Sequence, residues 1–121
     1  MEKIDRIQFR EDLKNRLRKF VLDIISLSQG LPKNDEATII KKQVLRSGSS
    51  EYANYRVANR ARSKAEFFSK ISITVEEADE TEMWLDLLIS SEISNNPETS
   101  RLHKESLEIL KIMSKIRKNL N

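Results

Sequence analysis

Leu45-Arg-Ser-Gly-Ser-Ser-Glu-Tyr-Ala-Asn-Tyr-Arg-Val-Ala58 is the stretch on which the fold turns. It lies inside a segment of helical periodicity, yet Ser47, Gly48, Ser49 and Ser50 stand in a row within it. Gly costs roughly 1 kcal/mol against Ala in a helix interior, and Ser a few tenths. Either the chain breaks here into a binding loop, or the helix runs through and its small residues serve close packing. A continuous helix places Ile40, Gln43, Ser47, Ser50, Asn54, Val57 and Ala61 on one stripe. That stripe is small and polar, and the run reads as a close-packed seam, polar inside and basic outside.

Working outward, amphipathic periodicity continues on both sides. Phe9, Leu13, Leu17, Phe20, Ile24 and Leu27 follow the three-and-four spacing of one helix face, with Val21 and Ile25 widening it. Gly30 sits at a C-terminal cap position and Pro32 blocks continuation. Asn34 or Asp35 then caps the second helix. Ser63 followed by Glu66 forms a capping box ahead of Phe67 and Phe68. Phe67, Ile71, Thr74, Ala78, Thr81, Leu85 and Leu88 mark the third helix. Asn96 is an N-cap with Pro97 at the first helical position, and Leu102, Ser106, Ile109, Met113, Ile116 and Leu120 mark the fourth. The expected helices span roughly residues 6–29, 35–60, 63–91 and 97–118. Short connections between them predict one all-α domain, an antiparallel up-down-up-down four-helix bundle over residues 1–121.

Composition supports this. In 121 residues only two Gly and two Pro occur, too few for many short strands and turns. Cysteine is absent, which excludes disulfides, thiolate zinc sites and cysteine nucleophiles. No apolar run approaches the ~20 residues that span a bilayer, and no signal-peptide core appears. The expectation is a soluble cytoplasmic protein without a membrane partner.

The net charge of +3 hides a sharper pattern. Residues 41–70 hold eight Lys and Arg against Glu51 and Glu66, a local charge of +6. Residues 75–92 hold seven carboxylates and no Lys or Arg, a local charge of −7. Oppositely charged neighbouring helices explain this on solvation grounds alone. A basic surface for phosphate backbones is the alternative, and its candidate contacts are Arg46, Arg56, Arg60, Arg62 and Lys64.

Leu-Pro-Lys at 31–33, Leu-Arg-Ser-Gly-Ser-Ser at 45–50, Ala-Asn-Tyr-Arg at 53–56, Ala-Arg-Ser-Lys-Ala-Glu-Phe at 61–67 and Glu-Ala-Asp-Glu-Thr-Glu-Met-Trp-Leu at 77–85 carry a family resemblance. Over nearly its full length the chain resembles the four-helix-bundle proteins encoded in intervening sequences of bacterial 23S ribosomal RNA genes. The resemblance implies a homopentamer without established enzymatic activity. A related branch, the accessory proteins of diversity-generating reverse transcriptases, binds nucleic acid through basic surface. Three positions depart from the pattern: Glu51 stands where the family tends to be apolar, Tyr52 where it is small, and Val57 where it has a carboxylate.

The polar stripe has two meanings. Ser47, Ser50 and Asn54 point inward and exchange hydrogen bonds with Glu77 and Thr81, because a buried amide or hydroxyl left unpaired costs about 1 to 3 kcal/mol. Alternatively, small residues at 47–50 let another subunit or a nucleic-acid backbone approach closely. Trp84, on the border of its apolar stripe, reads as core or interface packing rather than a base-stacking platform. Tyr52 and Tyr55, three apart on the basic helix, serve either base stacking or a subunit interface.

Catalytic chemistry finds no foothold. His103 is the sole histidine and reads as a solvated residue of the fourth helix. Paired Glu-x-x-His motifs of di-iron bundles are missing, as are phosphate-binding loops, dinucleotide fingerprints and nucleophile elbows. Glu77, Glu80 and Glu82 read as a solvated or ion-paired face rather than a metal site. The sequence therefore points to a non-enzyme without cofactor or metal. Its leading function is binding ribosomal RNA or another nucleic acid; the alternative is a protein-interaction scaffold whose charged helices pair across subunits.

Overall fold

The computed structural model describes residues 3–120, with side chains from Asp5 onward. Four helices follow in order: α1 (Lys3–Gln29), α2 (Asp35–Ala58), α3 (Lys64–Ser90) and α4 (Pro97–Lys118). No strand occurs among the described residues. The run Ser47 to Ser50 is helical throughout, so α2 is continuous.

Local chemistry sets the helix ends. Asn34 Oδ1 accepts from the Ala37 amide at 2.9 Å, Ser63 Oγ from the Glu66 amide at 3.1 Å and Asn96 Oδ1 from the Glu98 amide at 2.9 Å, each satisfying an orphan donor. The Glu66 carboxylate reaches back to the Arg62 amide, one residue before the cap. Gly30 ends α1 without a left-handed conformation; its amide donates to the Leu27 carbonyl in a tight turn. The left-handed residue is instead Glu92, with φ of 63°, where the chain leaves α3.

Cross-helix pairs run in opposite chain directions. Arg16 pairs with Glu105 and Asp23 with Arg101 between α1 and α4. Glu82 meets His103 and Ser72 meets Arg117 between α3 and α4. Ile24 lies against Gly48, while Arg10 lies beside Asn59, between α1 and α2. These three pairs of helices are therefore antiparallel, and α2 packs most extensively on α3. Leu17, Phe20, Ile24, Ile71, Leu85, Leu88, Leu102, Ile109 and Met113 fill the core. Each such burial stabilises by about 1.5 to 3 kcal/mol before entropy.

The buried face of α2 differs from the expected stripe. It comprises Ala37, Val44, Ser47, Gly48, Glu51, Tyr55 and Ala58, a rotation toward Tyr55, a large side chain that is fully buried. Ser50 and Asn54 are half-buried and Val57 is exposed. Phe9, Ile25 and Leu120 are exposed as well, and α1 buries no described side chain before Leu13.

Candidate nucleic-acid interface

The short link 59–63 folds the end of α2 onto the start of α3, and the antiparallel arrangement brings the start of α1 and the end of α4 to the same place. Arg56, Arg60, Arg62 and Lys64 fall within nine residues there. From α1 come Arg6 and Arg10, and from the last turn of α4 come Lys115, Arg117 and Lys118. Arg56, Lys115, Arg117 and Lys118 lie in the last turns of α2 and α4, whose carbonyl termini favour cations, whereas Arg6, Arg62 and Lys64 lie at or just before the starts of α1 and α3, whose amide termini do not.

These cations are exposed. Among the described residues, Arg6, Arg56, Arg60, Arg62 and Lys64 make no ion pair. Some guanidiniums lie instead on aromatic rings: Arg10 over Phe67 at 5.3 Å, Arg56 over Tyr52 at 5.7 Å and Arg117 over Phe68 at 5.5 Å. Such stacking fixes the side chain without neutralising it. A cleft of about 700 Å³ opens between these elements, bordered by Arg6, Arg62 and Lys64 and floored in part by Phe9, Tyr55 and Phe67. Burial pushes the Tyr55 phenol above its ordinary pKa. Tyr55 is thus a buried residue of the floor, not a surface neighbour of Tyr52.

Arg46 stands apart. It lies ten residues before Arg56, about 15 Å along the helix, and its guanidinium donates to Glu77 Oε2 at 2.9 Å and pairs with Glu80. Glu80 also accepts from the Trp84 indole at 3.2 Å, which places the half-buried Trp84 at the α2–α3 edge. The acidic helix is therefore partly neutralised within the chain. His103 is half-buried against Glu82 at 2.6 Å rather than solvated. No group of three His, Cys, Asp or Glu arranged for a metal ion occurs among the described residues.

At the α2–α3 seam only part of the expected polar set comes together. Thr81 donates to Ser47 at 2.7 Å with both side chains buried. Asn54 turns back to Ser50, donating to its carbonyl and hydroxyl. Glu77 faces Arg46. The group that composition did not disclose is Glu51, 1% exposed, with no hydrogen-bond donor to either carboxyl oxygen among the described residues. Burial, with Glu77 nearby, raises its pKa to about 8. The neighbouring Thr81 hydroxyl opposes that shift, but its one proton has two other acceptors within reach, the Ser47 hydroxyl at 2.7 Å and the Glu77 carbonyl at 2.8 Å.

The residues missed at the basic end include Arg6, Phe9 and Arg10, which local sequence separates from the rest by about fifty positions. Their only signal was a charged N-terminal segment beside an apolar stripe.

No helix among the described residues is long and apolar enough to cross a membrane. The chain is similar to a solved structure of a protein of unknown function from the S23 ribosomal protein family of Bacteroides thetaiotaomicron. The two are 37% identical with a TM-score of 0.80, covering 88% of this chain and 98% of that one. No curated protein matches. A family model described as 23S rRNA-intervening sequence protein matches residues 11–115. With that match spanning most of the bundle, the chain belongs to the 23S rRNA-intervening sequence protein family.

Proposed function

We propose that the protein is a cytoplasmic, non-catalytic and oligomeric helical bundle that binds ribosomal RNA or another nucleic acid on its basic end. The observation that supports this reading best is the gathering of Arg6, Arg10, Arg56, Arg60, Arg62 and Lys64 from three helices and the link 59–63 at one end, with Arg46 and the acidic face of α3 paired elsewhere. Guanidiniums and ammonium groups at such density hold phosphates, and contacts of this kind read backbone charge rather than sequence. A homopentamer, the assembly implied by the family resemblance, multiplies that surface. Exposed Leu22, Ile25, Met83 and Leu87 offer apolar area for subunit contacts. The scaffold reading, in which basic and acidic helices pair across subunits, is weakened because Arg46 meets Glu77 and Glu80 within one chain.

Fluorescence anisotropy with a labelled ribosomal RNA fragment tests this. Affinity is expected to be high at low salt and to fall steeply as salt rises. The double substitution Arg60→Glu and Arg62→Glu is expected to abolish binding while light scattering shows an unchanged assembly. Salt-insensitive affinity, or none at low salt, overturns the proposal. Dissociation of the assembly by that variant without nucleic acid establishes the scaffold instead.

A further inference from the structure

The basic end carries more than phosphate binding requires. Its cleft of about 700 Å³ sets Arg6, Arg62 and Lys64 beside Phe9, Phe67 and Leu120. Phe9 is 45% exposed and Leu120 40% exposed, so apolar surface is held open to water where positive charge converges. The Arg10 guanidinium already lies over the Phe67 ring, and a guanidinium plane presents a flat face to a further ring. A duplex offers such a site only phosphates, because its bases are stacked inside. A nucleotide in an unpaired strand offers both a planar apolar base and an anionic phosphate, which is the chemistry of this lining. The volume also falls within the roughly 300 to 1,000 Å³ range of sites that enclose small groups. A second copy of the same end would bring like charges face to face.

We propose that this cleft receives an unpaired nucleotide of a nucleic-acid strand, its base against Phe9 and its phosphates on Arg6, Arg62 and Lys64. The proposal rests on the nucleic-acid reading above and narrows it to single-stranded segments and strand ends. RNA and DNA share this chemistry, and separate ribose and deoxyribose probes distinguish them.

The experiment is anisotropy of the full chain with three labelled probes of about 12 nucleotides: a single strand, the same backbone made abasic, and a duplex. The single strand is expected to bind at least about fivefold more tightly than the abasic strand. Phe9→Ala is expected to weaken single-strand binding by about fivefold or more and to leave duplex binding unchanged, with Phe9→Trp restoring it. Phe9 is exposed, so a thermal melt is expected to show both variants folded. Equal affinity for intact and abasic strands, or no effect of Phe9→Ala, overturns the base cleft while leaving the electrostatic function standing. No binding to any probe at low salt overturns both. Loss of self-association in Phe9→Ala with strand affinity unchanged assigns the cleft to a second copy and overturns the proposal.

Discussion

The Thr81 hydroxyl donates to the Ser47 hydroxyl across 2.7 Å, sealed between α2 and α3. The two partners are not equivalent. Thr81 Oγ1 also lies 2.8 Å from the Glu77 carbonyl of its own helix, so it keeps an acceptor when Ser47 is removed. Ser47 has no second side-chain partner among the described residues. Thr81→Val is therefore expected to cost about 1 to 2 kcal/mol and Ser47→Ala under about 1 kcal/mol. Urea unfolding of the two variants checks this, and equal losses count against it.

Glu51 makes stability fall with pH. Its carboxyl titrates near 4.5 when unfolded and near 8 in the bundle, so between those values the folded state binds more protons than the unfolded one. The contribution is fully present below about 4.5 and is lost as pH rises through about 8. The full shift corresponds to at most about 5 kcal/mol. Glu51→Gln removes this titration; the variant is expected to vary less in melting temperature between pH 5 and 8 and to exceed the parent at pH 8. An unchanged pH slope would place the dependence elsewhere.

Gly48 lies where α2 approaches α1 closely. A Cβ there would sit 3.0 Å from Ile24 Cδ1, the tip of a buried side chain. Helix propensity favours Ala by about 1 kcal/mol, and the crowding opposes it, so Gly48→Ala is expected to be neutral within about 1 kcal/mol. Ile24→Val removes the crowding methyl at a cost of about 0.5 to 1.5 kcal/mol. A double-mutant cycle is expected to show the pair more stable than the sum of its singles; strict additivity would mean the contact is slack.

Arg46 and Arg60 separate structure from binding. Arg46→Ala breaks the pairs with Glu77 and Glu80, which at a half-exposed site contribute up to about 1 kcal/mol, and is expected to leave nucleic-acid affinity nearly unchanged. Arg60→Ala is expected to leave the melt unchanged, weaken binding and reduce the salt slope by about one. Calorimetry alongside anisotropy checks both, and the reverse pattern would relocate the interface to mid-helix.

Much of the fold was legible because its signals are local. Asn34, Ser63 and Asn96 cap their own helices, and each cap acts within three residues. The rotation of α2 was not legible, because Ser47, Gly48, Ser50 and Glu51 offer no apolar contrast to choose between adjacent faces. Packing of Tyr55 and the fit of Gly48 against Ile24 decided it, and they carried Glu51 into the interior. Charge misled in the same way: Arg46 reads like Arg60 in the chain, but only one of them meets a carboxylate.

The sequence alone determined that four amphipathic helices form, where the last three begin, and that basic and acidic charge occupy successive segments. Periodicity, caps and composition are properties of neighbouring residues, and they persist whatever the helices pack against. Tertiary structure decided which face of α2 is buried, that Glu51 is sealed from water, and that Arg6, Phe9 and Arg10 join Arg62 and Lys64 around one cleft. Helix rotation and end-to-end placement are set by the packing of the whole bundle, so no local stretch, including the serine-glycine run, encodes them by itself.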